Sequence, residues 1–293
     1  MIRRVMSLLI ALSAVVAALV VLPAATAQAA TCATAWNATA VYTGGQSASY
    51  DGRNYTAKWW TQNERPGSSD VWADQGACGT GGGGEQPGGF VVSEAQFNQM
   101  FPNRNSFYTY SGLTAALSSY PAFANTGSDE VKKREAAAFL ANVHHETGGL
   151  VHIKETNEAN YPHYCDGGKP YGCPAGQAAY YGRGPVQLSW NYNYKAAGDA
   201  LGIDLLNNPY LVEQNASVAW RTGLWYWNTQ NGPGTMTAHN AIVNGHGFGE
   251  TIRSINGSIE CDGGNPAQVQ SRVDKFTSFT QILGTTTGAD LYC

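Results

Sequence analysis

Two glutamates, Glu146 and Glu155, stand nine positions apart in "NVHHETGGLVHIKETNEANYPHYC", residues 142–165. His144, His145 and His152 crowd around them, and Gly148-Gly149 separates them. A helical zinc-protease motif needs two histidines four positions apart around a glutamate. Gly149 occupies the place of the second, so the stretch predicts no metal site, and no cofactor is expected. Gly-x-Ser-x-Gly and Gly-x-x-x-x-Gly-Lys are absent from the sequence as well, which removes the serine-hydrolase elbow and the phosphate loop. Paired carboxylates suit glycoside hydrolysis, in which one carboxylic acid protonates the leaving oxygen and an ionised one acts on the opposite face of the sugar.

Environment separates the two roles. Ser128, with Asp129 and Glu130 after it, opens a long helix that runs through "VKKREAAAFLANVHHET" and stops at Gly148. Val131, Ala138, Phe139, Asn142 and Glu146 recur at helical spacing, so the stripe that carries Phe139 inward places Glu146 at a partly buried helix end. Desolvation there favours the neutral acid. Glu155 lies beyond the glycine break between Lys154 and Thr156 and is expected to stay ionised. Glu158 is its rival in the same polar run, and local pattern does not choose between them.

The elements around these residues change character along the chain. Arg3-Arg4, an apolar run from Ser7 to Val21 and the small-residue end Ala27-Gln28-Ala29 predict a secretory leader over 1–29. That run is too short to span a bilayer, so no membrane anchor is expected. In an oxidising setting the six cysteines are expected to pair locally or terminally: Cys32 with Cys78, Cys165 with Cys173, and Cys261 with Cys293. "GTGGGGEQPGG", 79–89, has the composition of a tether, leaving about 48 residues before it and 204 after, and it predicts a monomer.

Without Arg3 and Arg4, 15 basic residues face 21 acidic ones, a net charge of −6, which argues against nucleic acid as a partner. Scarce charge with abundant Gly, Asn, Ser, Thr, Tyr and Trp suits a neutral polysaccharide.

Before the tether, Ala40-Val41-Tyr42 and Asn54 to Trp60, broken by Gly-Gly, Asp-Gly and Pro-Gly, predict small antiparallel strands. Alternation along a strand keeps Trp59 and Trp60 from entering one core together. At least one indole is therefore expected at the surface, against the alternative that Trp36, Trp60 and Trp72 build the core.

After the tether the period turns helical: a short helix from Ser93 through Met100, then Tyr192 to Leu201, Gln214 to Trp227, Thr237 to Asn244, and Pro266 to Leu283 with Gly284 as its stop. "PVQLSW", 185–190, gives the best strand signal. This is a mainly α domain with a small β element.

"AKWWTQNERPG" and the tryptophans around it resemble the chitin-binding modules of carbohydrate-binding families 5 and 12, over nearly all of residues 32–78. The resemblance implies an all-β module, 30–78, that meets chitin through Trp59, Trp60 or both. "HHETGG", "YYGRGPVQLSWNYNY", "SINGSIEC" and "SRVDKF" resemble the family 19 chitinases over residues 90–293. That resemblance implies a lysozyme-like, two-lobed catalytic domain and an inverting endochitinase, with chitin and chitooligosaccharides as partners and the fungal cell wall as a target. It further implies Glu146 as general acid, Glu155 as general base in the bacterial spacing, and Ser189 as a holder of the attacking water. His145, Gln187, Tyr192, Asn193 and Asn256 match substrate contacts, and Glu260 with Arg272 a charged pair that orients the acid. Short connections such as that from Glu146 to Cys165 imply fewer sugar subsites than in the plant members. Inversion predicts carboxyl groups roughly 6.5 to 9.5 Å apart. Two other readings stay open from the residues alone: a peptidoglycan hydrolase, and a non-catalytic chitin-binding protein.

Overall fold

A computed structural model describes residues 32–34, 36–38, 40–50, 53–78 and 89–293. The expected leader and nearly all of the tether lie outside the described residues. Strands fill the first part. β1 (Val41–Tyr42) pairs with β4 (Thr61–Gln62), and β3 (Arg53–Ala57) lies between β2 (Ser47–Tyr50) and β5 (Trp72–Ala77), all antiparallel. Ala48, Tyr55, Ala57, Val71 and Trp72 form the core, with Trp36, Tyr42 and Tyr50 packed against it. Trp72 can be buried because its indole N–H donates to Glu64 O at 2.8 Å.

Trp59 and Trp60 do not continue β3. The chain bends at Lys58 and Trp59 before β4, which frees both indoles from strand alternation. They are 56 and 60% exposed, so Trp60 is no part of the core and the surface expectation is exceeded.

The larger part is helical: α1 (Glu94–Met100), α2 (Tyr110–Ala116), α3 (Asp129–Thr147), α4 (Asn191–Leu201), α5 (Leu211–Gln214), α6 (Ala216–Thr229), α7 (Ala238–Val243), α8 (Phe248–Glu260) and α9 (Pro266–Leu283). Ser93 and Gln96 form a reciprocal capping box on α1. The Ser128 side chain accepts from Val131 N to start α3, and Gly148, at φ 61°, ends it. The expected single helix from Gln214 to Trp227 is instead broken at Asn215, whose extended backbone ends α5 and whose side chain caps α6.

The stripe expected on α3 is also corrected. From Glu135 to Val143 the helix is buried on every side, packed chiefly on α9 and also on α7 and α8. Glu135 survives in this core because Ala124 N, Trp227 Nε1 and His239 Nδ1 all meet its carboxylate within 2.9 Å.

Two hydrophobic clusters make two lobes. One surrounds α3; the other gathers Tyr180, Leu188, Tyr194, Leu205, Leu206 and Val212. Helix α6 joins them, giving Trp220, Leu224 and Trp227 to the first and Val218, Ala219 and Trp225 to the second. All three cysteine pairs form as expected: Cys32–Cys78, Cys165–Cys173 and Cys261–Cys293. "PVQLSW" is a turn rather than a strand, because Gly184 and Gln187 take φ of 73° and 50° and leave only bridges from Arg183 to Lys154 and Leu188. Among the described residues no helix is long and apolar enough to cross a membrane.

Candidate active site

Glu146 occupies the last turn of α3, with its side chain 17% exposed. Its surroundings are not the apolar stripe expected from the sequence. Arg272, on α9 and fully buried, donates from Nη2 to Glu146 Oε1. The same guanidinium donates from Nε to Glu260 Oε2 at 2.8 Å, from Nη2 to Glu260 Oε1 at 2.7 Å, and from Nη1 to Asn142 Oδ1 at 3.0 Å. Asn256 Nδ2 donates to Glu260 Oε1 at 2.7 Å. Glu260 and Arg272 thus form a buried, shared network.

The network shapes the titration of its members. Burial pushes the Glu260 carboxyl up, but Arg272, Asn256 and His145 together bring it below its ordinary value. Burial and the Arg272 charge push the His145 ring down, against the pull of Glu146 and Glu260. His145 Nδ1 lies 3.3 Å from Ser271 Oγ. His144 turns elsewhere, between Phe101 and Phe279, and burial lowers it to about 4. The histidines of the opening motif therefore diverge.

Glu155 lies across the glycine break on a different framework. Its Oε1 accepts from Asn160 Nδ2 at 2.7 Å and Tyr164 Oη at 3.2 Å, while Oε2 is enclosed and meets no protein donor. Tyr164 is pushed up to about 12, by burial and then by Glu155. Glu158 begins a short 3-10 turn, Glu158–Tyr164, and is exposed, whereas Glu155 is half-buried.

Ser189 follows the 184–188 turn, and Asn193 Nδ2 donates to its carbonyl at 3.0 Å. Trp190, at φ 75°, stacks on Tyr192 with ring centres 5.5 Å apart and meets Tyr164 edge-on at 5.7 Å. Tyr226 is pushed up to about 12, by burial first and then by the charge of Glu146 and by Tyr192. Tyr164, Trp190 and Tyr192 thus form a continuous run of rings that begins at Glu155.

Residues 91–293 match the glycoside hydrolase 19 family described as Chitinase class I, and residues 35–73 match carbohydrate-binding module family 5/12. The chain belongs to the family 19 chitinases. Chitinase C from Streptomyces griseus HUT6037 is 79% identical with a TM-score of 0.69, covering 89% of this chain and 100% of that one. A bacterial family 19 chitinase matches at 77% identity and TM-score 0.69, over 70% of this chain and 100% of its own. Endochitinase A of Zea mays is 43% identical over 210 residues, 69% of this chain and 71% of that protein.

In this chitinase the remaining expected contacts divide by what already holds them. Gln187 Nε2 donates to Gly184 O at 3.0 Å, so that amide braces its own strained turn. Asn256 interrupts α8 with φ of −145°, and the kink turns its amide onto Glu260. Tyr192 is half-buried and Lys169 Nζ lies 5.2 Å from its ring centre.

Sequence reasoning missed Asn142, Asn160, Tyr164 and Tyr226. Asn142 was recognised only as a member of the α3 stripe, although an amide within an alanine-rich run signals a buried partner. The other three carry no local signature.

Proposed function

We propose that this chitinase is an exported, monomeric enzyme of two domains, 30–78 and 90–293, joined by the 79–89 tether, that cuts β-1,4-linked N-acetylglucosamine polymers with inversion. Glu146 acts as general acid. With Oε1 engaged by Arg272, Oε2 is the oxygen left to carry a proton to the glycosidic oxygen. Glu155 acts as general base on water, aided by Ser189. The way the carboxylate is held carries the reading: Oε1 accepts from Asn160 and Tyr164, and Oε2, which meets no protein donor, is the oxygen left for water.

His145, Gln187, Tyr192, Asn193 and Asn256 line the path of the sugar chain, and the Glu260–Arg272 pair orients the acid. Trp59 and Trp60 present two exposed faces for stacking on insoluble chitin, the fungal wall included. Three disulfides suit the oxidising milieu outside the cell.

Time-resolved anomer analysis on a soluble chitooligosaccharide tests the mechanism. Inversion requires fresh ends to appear as the α anomer; β ends would refute it. Glu146→Gln should lower kcat by about 10²–10⁴-fold while chitin adsorption is unchanged. Near-normal turnover in that variant would remove Glu146 from the role.

A further inference from the structure

Arg183 has no exposed surface and takes no part in the chemistry just described, yet it touches both sides of the base. Its N–H donates to Leu188 O at 3.1 Å and its carbonyl accepts from Leu188 N at 2.9 Å, closing the turn that leads to Ser189. On the other side Glu155 N donates to Gly182 O and Gly184 N to Ile153 O, both at 2.8 Å. Residues 153–155 are thereby clamped to the neighbours of Arg183.

Its side chain extends this clamp. Nε donates to Glu213 Oε2 at 2.7 Å, and Nη1 donates to Ala179 O at 2.8 Å and Tyr194 Oη at 2.7 Å. The guanidinium carbon lies 3.5 Å from the centre of the Tyr181 ring. Tyr161 stacks on that ring at 3.6 Å with planes 11° apart. Two flat groups so close to one ring must take opposite faces. Tyr161 Oη then donates to Glu155 O at 2.8 Å. A column of planar groups thus runs from Glu213 through Arg183, Tyr181 and Tyr161 to the main chain of the base.

Stability alone is a poor reason for this column. Arg183 Nη2 is buried without a partner, and an apolar replacement of a buried ion pair is often neutral or stabilising. Resting on the reading of Glu155 as base, we infer that Arg183, Glu213 and Tyr161 form a positioning unit that fixes Glu155 relative to the Ser189 turn. None of the three touches the substrate in this role; they act through Glu155.

The test uses the full chain and a soluble chitooligosaccharide. Tyr161→Phe keeps the stack and deletes only the bond to the Glu155 carbonyl; Arg183→Lys removes the planar fork. Each is made in the parent and in a Glu155→Gln background, with kcat, KM and thermal melting measured. Tyr161→Phe should lower kcat by between about tenfold and about a hundredfold, with KM and melting unchanged. In the Glu155→Gln background it should have no further effect, because the group it acts through is already disabled. Should Arg183→Lys fail to fold, Tyr161→Phe decides alone. Parental kcat in Tyr161→Phe overturns the inference, as does an equal further loss in the Glu155→Gln background, which marks a merely structural role. Parental turnover in Glu155→Gln itself overturns the base assignment instead.

Discussion

Replacing Glu260 by glutamine tests the wiring of the acid most directly. The carboxylate is 1% exposed and accepts from Arg272 twice, at 2.7 and 2.8 Å, and from Asn256 at 2.7 Å. The amide keeps one accepting oxygen but turns an NH₂ toward a guanidinium donor, leaving a buried N–H of Arg272 unmatched. Breaking a buried ion pair costs about 3–5 kcal/mol; Glu146 still faces Arg272, so the lower end, about 3 kcal/mol, applies. For a helical domain of this size that corresponds to a fall of about 6–12 °C in melting temperature. With Glu260 neutral, Arg272 rests its whole charge on Glu146, so kcat should fall while KM stays.

The stability loss also depends on pH. Glu260 titrates below its ordinary value of 4.5, so its contribution is present above that pH and is lost as pH falls through the lower folded value. The parent and the variant should therefore converge in acid. Calorimetry from pH 3 to pH 7, paired with kcat on a soluble oligosaccharide, reads both effects. Melting within about 2 °C of the parent at pH 7, where a loss of about 3 kcal/mol is expected, would refute the network as drawn.

Two other perturbations follow from different parts of the fold. The Glu135 hydrogen bond raises His239 above its ordinary value of 6.5 against the opposing effect of burial, so its stabilising contribution is full below that pH and lost as pH rises through the higher folded value. Melting temperature should decline across that window in the parent, and His239→Gln should flatten the decline; a parallel curve for the variant would contradict it. The double replacement Trp59→Ala with Trp60→Ala should weaken adsorption to insoluble chitin, leave hydrolysis of soluble oligomers intact, and barely move the melting temperature, since both indoles are exposed. Unchanged adsorption in a pull-down on chitin would count against their role.

Several helix ends were legible from a local device, although the caps at Thr109 and Asn215 were overlooked. Ser93 with Gln96, Ser128 with the acidic turn after it, Gly148, Pro266 and Gly284 all act within a few residues of their own position. Helix α8 escaped detection because its glycines are set by distant packing. A Cβ on Gly249 would stand 2.1 Å from Tyr292 O, so the residue that weakens the helical pattern is the one that lets the C-terminal strap lie against it. "PVQLSW" misled for the opposite reason: its β-prone side chains are overridden by two residues with positive φ.

The two carboxylates were visible as a pair, but what sets Glu155 apart from Glu158, the folding back of Asn160 and Tyr164 onto its carboxylate, was not. The charged neighbour of Glu146 was expected only through the family resemblance and not from local pattern, because the guanidinium comes from a helix 126 positions away in sequence.

Helix α3 is enclosed along its alanines, Ala136, Ala137 and Ala138, and carries Glu146 in its last turn. It behaves as an axle with no slack in its bearing. At 1.5 Å per residue, Ala137 lies about 13 Å from Glu146, yet a methyl group added there has nowhere to go except by tilting the shaft. Variants that alter cleavage should therefore turn up among small, unreactive side chains deep in the interior, out of reach of any sugar, and a hunt confined to the walls of the groove would pass them by.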